Sequence, residues 1–277
     1  MTQDLERINK KLAEMERKSN ENNKSKEIML PEWHSSQRGT PNSFLRSALF
    51  SAIHNKDRQY KKKEILFAQN GTSIRFTGEQ LNQEDLTLWE TLLHITRNQP
   101  LGNVCEFTSY EILKTMNMAT GKADYERLYS GITRLAACLV SITYDHVNYF
   151  QSLIEGGELD EITGRYKITI NPKLIKLYGN SSWSVIDWEK RLQLKRKPLA
   201  QALLGYYSCH KTPFPVSIEF LHKITGSNNK SLLGFKKHLH AALKELVKIG
   251  FLESYKIEGQ RVSIVKKSGI KIKVITS

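Results

Sequence analysis

The chain has 277 residues, enough for two domains of ordinary size, and a formal net charge of +14 from 42 basic and 28 acidic side chains. Residues 151–277 hold 22 basic and 10 acidic groups, a net of +12, whereas residues 1–150 hold 20 and 18, a net of +2. This imbalance marks a polyanion footprint on the C-terminal half. It favours nucleic acid over a membrane surface, because no long basic amphipathic helix stands clear of a packed domain.

Residues 1–43 are polar and charged and read as a flexible tail. Leu5, Ile8, Leu12 and Met15 fall at heptad spacing within residues 4–18, which predicts a transient or partner-dependent helix followed by a flexible segment over 19–40. Leu30-Pro31-Glu32-Trp33 is an apolar island there, either a docking motif or a segment resting on the first domain. Packed structure begins near Asn42, with a short helix or strand entry over 43–53. Residues 65–68 and 72–77 read as a hairpin across Gln69-Asn70-Gly71, since Asn-Gly suits a tight turn. Asp85 caps a helix over 86–96.

A helix-turn-helix pattern follows. Thr108 or Ser109 caps a short helix over 110–116, residues 117–121 turn, and a longer helix covers 123–138. Its predicted buried side is Tyr125, Leu128, Ile132, Leu135 and Leu139. Its outer side carries Ala123, Glu126, Arg127, Ser130, Arg134 and Ala137, mixed in sign. Strands at 140–145, 149–155 and 165–170 form the wing around an acidic loop with Glu155, Glu158, Asp160 and Glu161. A short helix over 171–178 and a strand over 183–187 lead to the basic run Arg191, Lys195, Arg196 and Lys197, expected beside phosphate. Pro198 then opens a helix over 199–210.

The stretch 217–267 repeats the architecture without repeating the sequence. Ser217 caps a short helix to residue 224, and Thr225-Gly226-Ser227-Asn228 turns, with Gly226 free to take positive φ. A long helix runs over 229–248. Leu232, Phe235, Leu239, Ala242, Leu243 and Leu246 share its inner face at ~100° per residue, and Lys230, Leu233, Gly234, Lys237, Ala241 and Lys244 lie outside. Gly250 ends the helix. Strands at 251–257 and 261–265 pair across Glu258-Gly259-Gln260 as a wing. A helix greasy on one side and basic on the other, followed by a hairpin, fits a major groove.

The expected fold is therefore α+β: two tandem winged-helix domains, 44–180 and 181–277, behind the charged tail. Expected phosphate contacts are Lys230, Lys236, Lys237, Lys244, Lys256 and Arg261, with Arg196 and Lys197 alongside. Asn228, Asn229, Lys230 and Lys237 are candidate base readers, Leu233 and Ala241 can meet thymine methyls, and Gly234 and His240 complete the face. In the first domain Lys122, Arg127 and Arg134 are expected to touch the DNA backbone only. That domain otherwise suits protein contact.

Catalysis has no visible seat. His238-Leu239-His240 matches the His-hydrophobe-His string of nicking enzymes, but i and i+2 on a helix lie ~200° apart and cannot easily share a metal. No phosphate-cradling Gly-x-x-x-x-Gly-Lys-[Ser/Thr] string occurs. Cys105, Cys138 and Cys209 are scattered, odd in number and outside any zinc spacing, as buried thiols of a cytoplasmic protein would be. The longest apolar runs are too short to span a bilayer, and the charged N-terminus shows no secretory signal. No cofactor, metal or membrane is expected.

The chain also resembles the TrfA family of plasmid replication initiators. The resemblance runs through Arg46-Ser47-Ala48-Leu49-Phe50, Phe76-Thr77-Gly78-Glu79, Pro100-Leu101-Gly102 with Phe107, Trp188-Glu189-Lys190 and Tyr207-Ser208-Cys209-His210. It continues in Pro213-Phe214-Pro215, Gly226-Ser227, Glu245-Leu246 and Gly250-Phe251-Leu252-Glu253, and covers residues 41–267. It implies two winged helices binding directly repeated sites (iterons) at a plasmid origin, opening of an adjacent AT-rich duplex with its single strands as a further partner, and recruitment of the host initiator and replicative helicase. It also implies monomers that initiate and dimers, formed through the first domain, that restrain copy number. Relatives can carry a Gln-Leu-x-Leu-Phe motif for the sliding clamp. Here Ile28-Met29-Leu30-Pro31-Glu32-Trp33 lacks the Gln and the Leu-Phe pair, so that partner does not follow. A winged-helix transcriptional regulator on operator DNA would use the same long helix without opening the duplex. Tandem short repeats beside an AT-rich tract distinguish the two.

Overall fold

A computed structural model describes residues 29–69, 71–98, 104–144, 147–179 and 182–267. The helix expected over 4–18 and the Pro100-Leu101-Gly102 break lie outside these residues. The fold is α+β, with two winged helices in tandem. The chain opens with β1 (Gln37–Pro41), α1 (Asn42–Leu45) and the hairpin β2 (Tyr60–Leu66) and β3 (Ser73–Glu79). The first winged helix is α2 (Gln83–Thr96), β4 (Val104–Thr108), α3 (Ser109–Thr115), α4 (Lys122–Ala137) and the wing β7 (Gly156–Asp160) and β8 (Arg165–Thr169). Between α4 and the wing lie β5 (Leu139–Tyr144) and β6 (Val147–Gln151). A 3-10 turn (Pro172–Tyr178), β9 (Trp183–Asp187) and α5 (Trp188–Gln193) lead into the second winged helix. That unit is α6 (Pro198–Ser208), β10 (Val216–Ser217), α7 (Ile218–Ile224), α8 (Leu232–Lys248) and the wing β11 (Leu252–Glu258) and β12 (Arg261–Lys266). The sheets β4-β8-β7 and β10-β12-β11 have the same order, which makes the repeat explicit.

Capping chemistry sets several helix starts. Asn82, not Asp85, caps α2: its side chain accepts the N–H groups of Glu84 and Asp85, and the Asp85 carboxylate accepts the N–H of Asn82. Asp85 is thus the third helical residue of a reciprocal box, so the helix starts earlier than expected. Thr108 and Glu111 form the same box at α3. On α4 the buried residues are Leu128, Gly131, Ile132 and Leu135. Tyr125 and Leu139, expected in the core, are exposed.

The expected three-stranded first wing divides between two sheets. Strands β5 and β6 join β2 and β3 in the order β2-β3-β5-β6, and only β8 belongs to the wing. Its partner β7 is the segment expected as an acidic loop. The pairing follows from cross-strand charge, with Glu158 opposite Lys167 and Asp160 opposite Arg165. At Gly157 an added Cβ would stand 2.5 Å from the Lys167 carbonyl, so only glycine lets the strands approach there.

The segment expected to be flexible up to residue 40 is packed from Leu30 onward. Strand β1 pairs antiparallel with β9, Gln37 opposite Asp187 through Pro41 opposite Trp183. Trp33 lies against Gly39, where a Cβ would come within 2.6 Å of its ring, and it groups with Tyr178 and Trp183. Its indole N–H donates to His94 Nδ1 at 3.1 Å. The Leu30–Trp33 island therefore rests on the first unit.

Arg191 overturns the expectation of a phosphate contact. It is fully buried on α5, with Nε 2.8 Å from Glu90 Oε2 on α2. Its guanidinium also donates to Thr87 Oγ1 and to the Gln83 carbonyl, and Thr40 Oγ1 donates to Glu90 Oε1 at 2.7 Å. Helix α6 is enclosed on every side, with Ala200 through Tyr207 all buried, the polar Gln201 among them. The helix packs on α8, and Gly205 abuts Leu45 of the first half. Arg46 donates to the Cys209 carbonyl at 2.6 Å and Ala52 N–H to the Thr225 carbonyl at 2.7 Å. One continuous hydrophobic core runs through both units. Among the described residues, no helix is long and apolar enough to cross a membrane.

Arg191→Met should cost ~3–5 kcal/mol of stability in urea unfolding, because it strands the Glu90 carboxylate in the core; replacing both partners with apolar residues should recover much of this. A second expectation concerns acid. Burial, reinforced by Arg38 and Arg97, lowers the His94 pKa from 6.5 to about 3. The unfolded chain then binds the proton first, so stability is full above pH 6.5 and declines as pH falls toward 3. Thermal melts followed by tryptophan fluorescence should show this decline, and His94→Gln should flatten it.

Candidate nucleic-acid interface

Ser217 caps α7 by accepting the Phe220 N–H at 3.0 Å, as its position predicts. Gly226 makes the turn at φ +58°. The long helix starts at Leu232 rather than 229, because Ser231 accepts the Gly234 N–H at 3.1 Å and stops the helical path there. Asn228, Asn229 and Lys230 therefore sit in the turn. Sequence reasoning missed Ser231 as the cap; its signal was a Ser just before the apolar period.

Asn229 braces this turn. Its amide donates to Ser227 Oγ at 2.8 Å, its side-chain oxygen meets His238 Nδ1 at 2.9 Å, and its carbonyl meets His222 Nε2 at 3.0 Å. Both ends of the amide are engaged, so Asn229 holds the turn instead of presenting a free edge to a base. Asn228 and Lys230 beside it are exposed.

Helix α8 divides as its periodicity predicts. Phe235, Leu239, Ala242, Leu243 and Leu246 are buried. Leu232 departs from the expected inner face at 40% exposed, because the first turn projects beyond the core. The outer face presents Leu233, 72% exposed, with Lys237, His240, Ala241 and Lys244. Lys230, Lys237 and Lys244 form no ion pair among the described residues. Gly234 lies half-buried between Ser231 and Asn229, where a Cβ would be 3.2 Å from Ser231 Oγ. Gly250, at φ +68°, turns the chain out of the helix and into the wing.

The wing reaches back to the helix. Lys236 Nζ lies 3.4 Å from the Gly259 carbonyl at the wing turn, so it ties wing to helix and is only half-exposed. Lys256 pairs with Glu258 at 2.5 Å, which offsets its charge, while Arg261 across the turn is exposed. His240 contacts the Tyr255 ring edge-on, 5.8 Å between centroids.

The flanking cations are mostly committed. Lys197 Nζ bonds Glu245 Oε2 at 2.7 Å, and this bond holds the Glu245 carboxyl below its ordinary range. Lys195 Nζ reaches the Asn117 carbonyl at 2.7 Å, and Arg196 is left exposed. In the first unit Lys122 is exposed at the start of α4, and Arg127 lies 3.4 Å from Asp124. Arg134 points inward to Glu79 and Asp85, each at 3.6 Å, so the expected phosphate contact there is withdrawn. His238 and His240 lie inside α8, where the helical twist separates them.

Two crystal structures of domains 2 and 3 of RctB share this fold. One covers 83% of this chain and 99% of its own, with a TM-score of 0.59 at 12% identity. The other covers 79% and 95%, with a TM-score of 0.50 at 12% identity. A plasmid replication initiator protein TrfA of Escherichia coli is 25% identical over 232 residues, 80% of this chain and 59% of that protein. The chain thus spans about three fifths of the length of that curated relative. The family model described as TrfA protein matches residues 10–266, nearly the whole sequence and both winged helices, and the chain belongs to the TrfA family.

Proposed function

We propose that this protein initiates plasmid replication by binding direct repeats at the origin through α8 and the second wing. The observation that carries the reading is the division of α8: a sealed apolar face, and opposite it exposed lysines without ion pairs among the described residues, beside a hairpin. Lys230, Lys237, Lys244, Arg261 and Arg196 neutralise phosphates, each adding ~0.9 to the log-log salt slope. Asn228 and Lys237 meet base edges, and Leu233 and Ala241 pack on thymine methyls. Asn229 and Lys236 hold the turn and the wing in position for this. Lys122 and Arg127 give the first unit a weaker backbone contact.

The same reading has bound protomers help open an adjacent AT-rich duplex and recruit the host initiator and replicative helicase. It also has the first unit pair two copies. The outward face of the β2-β3-β5-β6 sheet supports the pairing, because Ile65, Leu139 and Phe150 stand exposed on it. The protein acts by binding rather than by catalysis, in the cytoplasm. A clamp contact through Leu30–Trp33 is not part of this reading, since both residues are packed into the fold.

Lys237→Ala should weaken repeat binding by ~1–3 kcal/mol at fixed salt in a footprinting titration of the candidate origin. An unchanged dissociation constant would remove α8 as the reading element. Phe150→Asp should shift the monomer–dimer balance toward monomer in sedimentation equilibrium, leaving affinity for a single repeat in place.

A further inference from the structure

The first wing is unlike the second. Its turn carries Ile162, 98% exposed, at the tip. The tip is fixed rather than loose: Asp160 Oδ1 accepts the N–H groups of Ile162 and Thr163 at 2.9 and 3.0 Å, and Gly164 N–H returns to the Asp160 carbonyl at 2.8 Å. Ser109, at the start of α3, holds the Gly164 carbonyl from below. At the tip Asp160 and Glu161 are exposed, with Glu158 further down β7 and Glu155 at its base, where its N–H meets the Thr169 carbonyl. The wing's own cations, Arg165 and Lys167, stand opposite Asp160 and Glu158, and Lys167 also lies 3.7 Å from Glu106, so the wing's four carboxylates outnumber its two cations. An acidic rod ending in a bare isoleucine is repelled by phosphate, so it does not serve as a DNA wing.

The complementary surface lies beyond the other end of α3. A cleft opens between α2, α4 and the α5–α6 connection. Met118, Leu128 and Leu192 line its apolar floor, and Lys195 and Arg196 stand exposed at its rim beside Arg127, which leans on Asp124 at 3.4 Å. Of its acids, Asp85 pairs with Arg58 at 2.6 Å and Glu84 accepts from the neutral Asn55 amide at 2.8 Å, two carboxylates against the five lining cations Arg58, Arg127, Arg134, Lys195 and Arg196. The rim is therefore cationic around an apolar floor, the inverse of the wing tip.

We propose that the acidic first wing of one protomer docks, Ile162 foremost, into the basic-rimmed cleft of a second copy. Each copy offers the tip on one side and the cleft on another, so the contact is head-to-tail and does not use the same patch twice. Such a contact continues from protomer to protomer. Direct repeats present successive protomers in one orientation along the duplex, which is the relation a head-to-tail contact requires. This last step rests on the repeat-binding reading above.

The test has two arms. Off DNA, full-length Ile162→Cys and full-length Met118→Cys are mixed and treated with bismaleimidoethane. A cross-linked pair should form in the mixture, well above the wild-type background from its own three cysteines. No cross-link in the mixture, or equal cross-linking of Ile162→Cys with itself, overturns the proposal. On DNA, wild type should fill two adjacent direct repeats cooperatively. Ile162→Asp should bind one repeat as wild type does and lose ~10-fold in filling the second, the effect of uncovering one aliphatic side chain. Equal losses on one and two repeats would mean that the tip touches DNA, which also overturns it. If wild type binds no repeat at all, the initiator reading fails and the cross-link alone decides the contact.

Discussion

The buried pair between Glu90 and Arg191 constrains where everything downstream of it can lie. Two charges with no exposed side-chain surface are tolerated because each is held against the other, with Thr40, Thr87 and Gln83 adding hydrogen bonds to the pair. The energetic return on such a pair is small relative to a well-packed apolar substitute, but its geometry is demanding. It ties β1, α2 and α5 at one point. Because α5 leads directly into α6, that point sets where the second winged helix begins.

From there the division of labour follows from charge. Helix α8 keeps one apolar stripe against α6 and α7 and leaves its lysines to solvent. The equivalent helix α4 spends Arg134 on Glu79 and Asp85 and balances Arg127 with Asp124. The two units share one topology, yet a single topology places a cationic helix in one and a self-neutralised helix in the other. Their wings differ in the same sense: Arg261 and the helix-bound Lys236 flank the second, while carboxylates surround the first.

Local chemistry was the legible part of the sequence. The α8 period, the Ser217 cap and the Gly250 terminus could be read because each depends on residues within one or two turns. What escaped was pairing over distance. Strands β5 and β6 were visible as strands, but nothing local indicates that β5 pairs with β3 across roughly sixty residues of chain. The acidic strand β7 was hidden because its carboxylates look like loop residues until Lys167 and Arg165 stand opposite them. Arg191 and Arg134 looked like members of solvated runs, since the carboxylates that bury them lie elsewhere in the sequence. At the candidate interface the same limit applies: Asn228 and Asn229 are alike in composition, and only the positions of Ser227, His222 and His238 distinguish a brace from an available side chain.

Helix α6 is buried on every side from Ala200 to Tyr207, and Gln201 is the one polar side chain in that stretch apart from the tyrosine hydroxyls. Pulling the two halves apart would wet a row of aliphatic and aromatic groups on whichever half kept it, so separation carries a solvation penalty at every residue of its length. Melting of the two halves should therefore be coupled, a single transition rather than two. Exchange of halves between neighbouring chains would require the incoming half to supply an identical wall against that helix.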